Sequence, residues 1–173
     1  MVKPLFIKIF FAFFLFLTGC AYKPSVSYQK KLIGNKIKAD VTISSKTPKE
    51  SAFLKDALNE AVYTVFSSDL VNDTQNADTV IYISIQSSSL SALDFDENGF
   101  PILYRSAVKL KAKITDKFGK TRFYTISGNY DFAISANSVI NDQIKFDSFK
   151  KASENALNKL LAEITKDGAY NDN

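Results

Sequence analysis

The sequence has 173 residues, with 22 Lys and Arg, 18 Asp and Glu, and a formal net charge of +4. This mild charge argues against a nucleic-acid-binding domain, which is usually strongly basic. The absence of histidine removes the commonest general base and the commonest zinc ligand, and a single cysteine leaves no thiol pair. We therefore expect a protein that is not an enzyme and that needs neither a cofactor nor a metal.

The first twenty residues are typical of a bacterial secretory signal. Lys3 and Lys8 supply positive charge, and an apolar run follows over residues 9–17. Because a membrane-spanning helix needs about 20 apolar residues, this run is too short to be one. Residues 17–20 (LTGC) resemble the lipobox of bacterial lipoproteins.

The lipobox resemblance implies that the chain is cleaved before Cys20 and that this residue is lipidated. Cys20 would carry a diacylglyceryl thioether and an N-linked acyl chain such as palmitate, which suffice for stable anchoring. The next residue is Ala21, whereas an aspartate there favours retention of lipoproteins in the inner membrane. We therefore predict a signal peptide at 1–19, a lipidated tether at 20–31 and a single α+β domain at 32–173, held at the outer membrane.

Residue periodicity predicts the first elements of this domain. Residues 36–44 alternate with period two and predict a strand that points Ile37, Ala39, Val41 and Ile43 to one face. Residues 47–50 (TPKE) predict a helix start with a capping box, and apolar residues at helical spacing continue it to residues 67–70. Residues 77–85, which are rich in β-branched and aromatic side chains, predict a second strand, and residues 87–92 either extend it or interrupt it with a bulge.

The acidic residues 94–99 (DFDENG) resemble the beginning of a calcium-binding loop. The twelfth position, where that loop needs a bidentate Glu, is Arg105. An Asn-Gly turn between two strands accounts for the same residues. We therefore predict a turn here and no metal site.

The strand predicted over residues 104–115 alternates an apolar face with a basic one. A turn at residues 116–119 leads to the next predicted strand, over residues 121–134. The cations of this hairpin either aid solubility and prevent edge pairing, or bind an anionic partner such as a phosphorylated lipid. The strand contributes Arg105, Lys109, Lys111 and Lys113, and the turn region contributes Lys117, Lys120 and Arg122.

A second helix is predicted to begin at Asn141 or Asp142 and to end at residues 166–168 (KDG), where Gly168 is a typical terminator. The element order is therefore strand, helix, strand, strand, strand, helix (βαβββα). One antiparallel or mixed four-stranded sheet with two helices on a single face would bury both apolar helix stripes. The predicted class is α+β, with the opposite face of the sheet left free.

This order, together with the lipobox, resembles the LptE family of lipopolysaccharide-assembly lipoproteins. The local likeness lies in residues 77–83 (ADTVIYI), the turn at Gly99, the alternating cations of residues 104–115 and the helix end at residues 160–164 (LLAEI). The resemblance implies a plug that lies in the lumen of the outer-membrane β-barrel LptD, faces the periplasm, and assists lipopolysaccharide transport to the outer leaflet. The lumen of such a barrel is polar, which suits a plug with a polar surface.

The strand alternation, rather than a family motif, selects the residues expected to contact lipopolysaccharide. Arg offers bidentate geometry and Lys a point charge for its phosphates. An outer-membrane lipoprotein that acts as an assembly scaffold, or that binds another envelope component, would share every feature except the lipid partner. The expected contacts are Arg105, Lys109, Lys111, Lys113, Lys117, Lys120 and Arg122.

Overall fold

A computed structural model of the chain describes residues 33–43, 48–135 and 138–170. The predicted signal peptide, the lipidation of Cys20, the tether and the capping role of Thr47 lie outside these residues. They stay predictions, as do the proposed boundaries of the domain.

The described chain forms one five-stranded sheet with two helices on one of its faces. The strand order is β2-β1-β3-β4-β5; β1 is parallel to β2 and β3, and the other neighbours are antiparallel. This arrangement confirms the predicted α+β class and adds one short strand, β2. The strands are β1 (Lys36–Val41), β2 (Asp69–Leu70), β3 (Thr79–Phe95), β4 (Pro101–Thr115) and β5 (Thr121–Ala133), and the helices are α1 (Pro48–Thr64) and α2 (Asp142–Tyr170).

The core lies between the sheet and the two helices. Alternate residues of the central strands point toward the helices and are buried, as period two requires. The apolar stripe of each helix covers them. The largest fully buried side chains therefore all belong to the sheet, to the helices or to the segments that connect them. The fully buried large residues include Leu54, Leu58, Ile81, Ile83, Leu110, Leu157 and Leu160. No helix within the described ranges is both long and apolar enough to span a lipid bilayer.

The first strand is shorter than predicted. It pairs with β3 only as far as Val41, opposite Ile83, and one further backbone bond joins Thr42 to Ile83. The prediction that Ile43 belongs to this strand is wrong, since β1 ends at Val41 and Ile43 is 70% exposed. The chain leaves the sheet before the alternation of the sequence ends, although β3 itself continues beyond Ile83 to Phe95.

The second predicted strand, β3, both extends and contains a bulge. Its register against β4 shifts between Ile85 and Ser87, and pairing then continues to Phe95. Beyond Leu90 the sheet therefore projects past the first turns of both helices.

Helix α2 continues through Gly168 to Tyr170, so the predicted end at this glycine is wrong. The Tyr124 hydroxyl of β5 donates a 2.7 Å hydrogen bond to Asp167, which holds the last turns against the sheet. Burial, followed by this bond, raises the pKa of Tyr124. The beginning of the helix agrees with prediction, since the Asn141 side chain accepts the N–H of Ile144 and caps it.

Candidate functional site

Three lysines of β4 project from the sheet face that the helices leave uncovered. We call Lys109, Lys111 and Lys113 the lysine stripe. All three are exposed, whereas the alternating residues Leu110 and Ala112 are completely buried. Alternate residues of a strand are about 7 Å apart, so the stripe forms a row of cations along the middle of the sheet.

Hydroxyl groups border the lysine stripe on both neighbouring strands. Lys109 lies between Ser87 of β3 and Ser127 of β5. Lys111 lies between Ser84 and Thr125 in the same way. Side-chain hydroxyls donate and accept hydrogen bonds, so this surface can pair with phosphates and also bond to neutral sugar hydroxyls. The sequence shows these residues on alternating faces, but it does not reveal which ones stand beside the lysines.

None of the lysines of the stripe forms an ion pair with a described residue, so no neighbouring carboxylate offsets their charge. Adjacent cations on one surface raise the local potential and attract anions. At the far end of the stripe, beside Lys113, the neighbours are aromatic: Tyr82 on β3 and Phe123 on β5. The stripe therefore combines charge, hydroxyls and exposed ring surface within one sheet face.

Arg105 lies on the same face as the stripe but already has a partner. Its guanidinium donates two 2.7 Å hydrogen bonds to the two carboxylate oxygens of Asp131 on β5. The pair raises the pKa of Arg105 and lowers that of Asp131, chiefly through these bonds. An anionic ligand at Arg105 would have to compete with this carboxylate.

The remaining three predicted contacts lie at the turn between β4 and β5. Lys117 and Lys120 are exposed. Arg122 instead lies beneath the helices, 14% exposed, where it forms a 2.8 Å ion pair with the buried carboxylate of Asp116. The structure thus groups four of the seven cations on the open sheet face and two at its turn, and it gives Arg122 a role in holding that turn.

The predicted turn at Gly99 is confirmed. The Asp96 carboxylate accepts the N–H groups of Asn98 and Phe100, and Gly99 adopts a positive φ of 82°. Asp96 thus takes part in the turn itself, as expected of an Asx turn. Within the described ranges, no group of three or more acidic or cysteine side chains is arranged to hold a metal ion.

A cavity of about 570 Å³ opens between the first turns of the two helices and strands β3 and β4. Phe53 of α1 and Phe146 of α2 meet edge to face across it, with ring centroids 4.2 Å apart. Leu90 and Phe149 add apolar wall, and Lys49 is among the polar residues that line it. The cavity was not expected from the sequence.

No protein-family model matches the chain, and no curated protein sequence is significantly similar to it. Among solved structures, the fold is similar to the rare lipoprotein B of Shewanella oneidensis, with a TM-score of 0.51 at 10% identity over 80% of this chain and all of that one. A putative lipoprotein from Caulobacter crescentus gives 0.49 at 10% identity, covering 84% and 96%. Lipoprotein B of Nitrosomonas europaea gives 0.42 at 10% identity, covering 80% and 84%. The first of these likenesses shows that the fold is one that a bacterial lipoprotein adopts.

Proposed function

We propose that the protein is an outer-membrane lipoprotein that plugs a large β-barrel of the LptD type and assists lipopolysaccharide assembly at the outer leaflet. The lipobox-like residues 17–20 support the anchor. The likeness of the fold to a solved lipoprotein structure agrees with it. Cys20 is the expected lipid attachment site, and the domain faces the periplasm and the lumen of the barrel.

The observation that carries the proposal is the uncovered face with its lysine stripe. Lipopolysaccharide presents phosphates beside sugar hydroxyls, and the stripe offers cations beside Ser and Thr hydroxyls. Each lysine near an anionic lipid surface contributes about 1 kcal/mol of attraction. A polar sheet face also suits contact with the polar interior of a wide barrel.

The first experiment asks which barrel protein the chain binds. A tagged, acylated protein is purified from detergent-solubilised outer membranes, and the proteins that accompany it are identified by peptide mass. We expect a stoichiometric large β-barrel of the LptD type. Recovery without such a barrel would refute the plug.

A second measurement tests the lysine stripe with a matched pair of variants. Lys109→Glu/Lys111→Glu reverses two cations of the stripe, while Lys55→Glu/Lys166→Glu reverses two exposed lysines of the helices. Both change the net charge equally. We expect the stripe variant to bind purified lipopolysaccharide about 30-fold or more weakly, and the helix variant to bind normally. An equal loss of lipopolysaccharide affinity in both variants would mean that net charge alone accounts for binding, and not the lysine stripe.

The cavity supports a second candidate, a lipoprotein that binds an envelope component with an acyl chain. Its volume of about 570 Å³ lies in the range of small-ligand sites, and its aromatic walls suit hydrocarbon. Saturable binding of a fluorescent fatty acid that is weakened by Leu90→Trp would support this role. Leu93→Trp is the control, because Leu93 is on the same strand but does not line the cavity. Absence of saturable binding would reject it.

A further inference from the structure

The described chain begins at the same end of the sheet as the β4–β5 turn. The Thr79 hydroxyl, on the first residue of β3, donates a 2.6 Å hydrogen bond to the carbonyl of Ile33. The next residue of β3, Val80, pairs with Thr115, the last residue of β4. The tether that would carry Cys20 therefore reaches the domain beside residues 116–120, and we call this the anchor end.

The turn at the anchor end presents an aromatic ring between two cations. Phe118 is 74% exposed. The Lys117 ammonium lies 5.1 Å from the centre of its ring, and Lys120, two residues further along the chain, is also exposed. Exposed Phe side chains favour the boundary between headgroups and acyl chains of a bilayer, and lysines beside them are attracted to anionic lipids.

Hydrogen bonds to one carboxylate hold this turn in place. The Asp116 carboxylate accepts the N–H groups of Phe118 and Lys120 and also the Arg122 guanidinium. Gly119 completes the turn with a positive φ of 76°. Because the turn is ordered in advance, little conformational entropy is lost when its exposed side chains meet a surface.

We propose that the β4–β5 turn docks on the anionic phospholipid surface of the membrane that holds the Cys20 anchor. Phe118 enters the headgroup region, and Lys117 and Lys120 pair with lipid phosphates. The proposal rests on the lipid anchor of the proposed function, but not on the barrel partner or on lipopolysaccharide. Residues 21–32 span at most about 40 Å when extended, so the tether keeps the turn close to the bilayer and a weak contact suffices.

The chain contains no tryptophan, so one introduced indole reports on one position. Phe118→Trp marks the anchor end. Phe100→Trp is the matched control, because Phe100 follows Gly99 in a turn with the same Asp-x-x-Gly pattern at the opposite end of the sheet. Acylation is first confirmed by intact mass. The acylated proteins are then reconstituted in vesicles of phosphatidylcholine with a minority of phosphatidylglycerol, part of the lipid being brominated in the upper acyl chain.

We expect Phe118→Trp to lose about half of its emission to the brominated lipid and Phe100→Trp to lose almost none. Adding Lys117→Ser/Lys120→Ser should weaken the contact about 30-fold and remove the quenching. Equal quenching at both ends, quenching at Phe100→Trp alone, or none at Phe118→Trp would overturn the proposal. A product without acyl chains would overturn it together with the anchor. Quenching at Phe118→Trp without recovery of a barrel would instead refute only the plug.

Discussion

Asp78 fastens the beginning of the described chain to the beginning of β3. Its carboxylate accepts the backbone N–H groups of Asn35 and Lys36 at 2.8 and 3.0 Å. The bond from Lys36, then that from Asn35, and more weakly the charge of Lys117, hold the pKa of Asp78 below its ordinary value of 3.8. Gly34 adopts a positive φ of 77°, and a Cβ there would lie 2.6 Å from the carboxylate. The glycine and the aspartate thus form one junction.

Replacing Asp78 should destabilise the fold in a pH-dependent manner. We expect Asp78→Ala to lower the free energy of unfolding by about 1–2 kcal/mol at neutral pH, because two N–H groups lose their charged acceptor. A carboxyl whose folded pKa is lowered stabilises the fold above its unfolded pKa, and this contribution disappears as the pH falls through the folded pKa. The difference in the free energy of unfolding between Asp78→Ala and the parent protein should therefore become smaller below about pH 4.

Urea unfolding across this pH range measures the gap for Asp78→Ala. Glu97→Ala is the control, since Glu97 is exposed and forms no hydrogen bond or ion pair with a described residue. This control should follow the parent protein at every pH. A gap for Asp78→Ala that widens in acid would contradict the assignment.

Arg105 shows how much of the site could have been predicted from the sequence. The turn at residues 116–119 places Thr115 opposite Thr121, and regular pairing counted outward from there brings Arg105 opposite Asp131. The sequence therefore contains the signal for this ion pair. The seven predicted cations were selected by alternation alone, which does not consider the partner strand. Arg122 was included for its position near the turn, although its buried partner Asp116 faces the helices.

At the level of elements, α2 packs on β5 so closely that it also covers part of this edge strand. The Asn155 side chain donates to the carbonyl of Asn129, and the Lys159 ammonium donates to the carbonyl of Ser127, at 2.8 and 2.9 Å. Unpaired backbone carbonyls of an edge strand can pair with a strand of another chain, so these two hydrogen bonds protect the edge from such pairing. The close approach depends on Gly128, where a Cβ would overlap the carbonyl oxygen of Ala152.

Gly128→Ala should therefore cost more than an alanine at a strained turn glycine. An added methyl meets the backbone of α2, which cannot rotate away, and we expect a loss of about 3 kcal/mol in the free energy of unfolding. The comparison is Gly99→Ala, where nothing lies within 4 Å of the new Cβ but φ is +82°. That variant should lose about 1–2 kcal/mol. Urea titration measures the free energy of unfolding of both variants. A loss for Gly128→Ala that is equal to or smaller than the loss for Gly99→Ala would show that α2 can shift to make room for the methyl group.

The sequence predicted the elements with strong periodicity better than their ends and pairing. The alternation of β4 predicted its buried and exposed faces correctly, because one side of that strand is covered and the other is not. Strand β2 was not predicted, because its two residues show no periodicity and form a strand only by pairing with β1. The bulge at residues 85–87 could not be predicted with certainty, because the local sequence was compatible with a regular extension of the strand as well as with a bulge. The cavity requires the relative position of two helices and two strands, which no local pattern encodes.

The whole molecule has two different ends. The chain enters at the anchor end, where Phe118 and the neighbouring lysines are exposed. Toward the other end, an aromatic row on the helix-facing side of the sheet stacks with centroids about 6 Å apart. The row consists of Tyr104, Phe132 and Tyr130, and Lys151 of α2 lies over the ring of Tyr130. The lysine stripe occupies the sheet face between these ends, so the proposed membrane contact and the proposed lipopolysaccharide contact have separate surfaces.

Because these surfaces are separate, their variants should act independently. Lys109→Glu/Lys111→Glu should weaken lipopolysaccharide binding while Phe118→Trp remains quenched by brominated lipid, and Lys117→Ser/Lys120→Ser should do the reverse. Neither pair should change the free energy of unfolding by more than about 0.5 kcal/mol, because these four lysines are exposed and form no ion pair with a described residue.

Combining both pairs in one chain tests the separation directly. Lipopolysaccharide affinity and lipid quenching, measured on the same four proteins, should each show additive changes, as distant sites normally do. High salt should weaken both contacts, since it screens exposed charges. If reversal of the stripe alone removed the quenching at Phe118→Trp, the stripe itself would lie on the bilayer. The sheet would then rest flat on the membrane, and its free face could not line the lumen of a barrel.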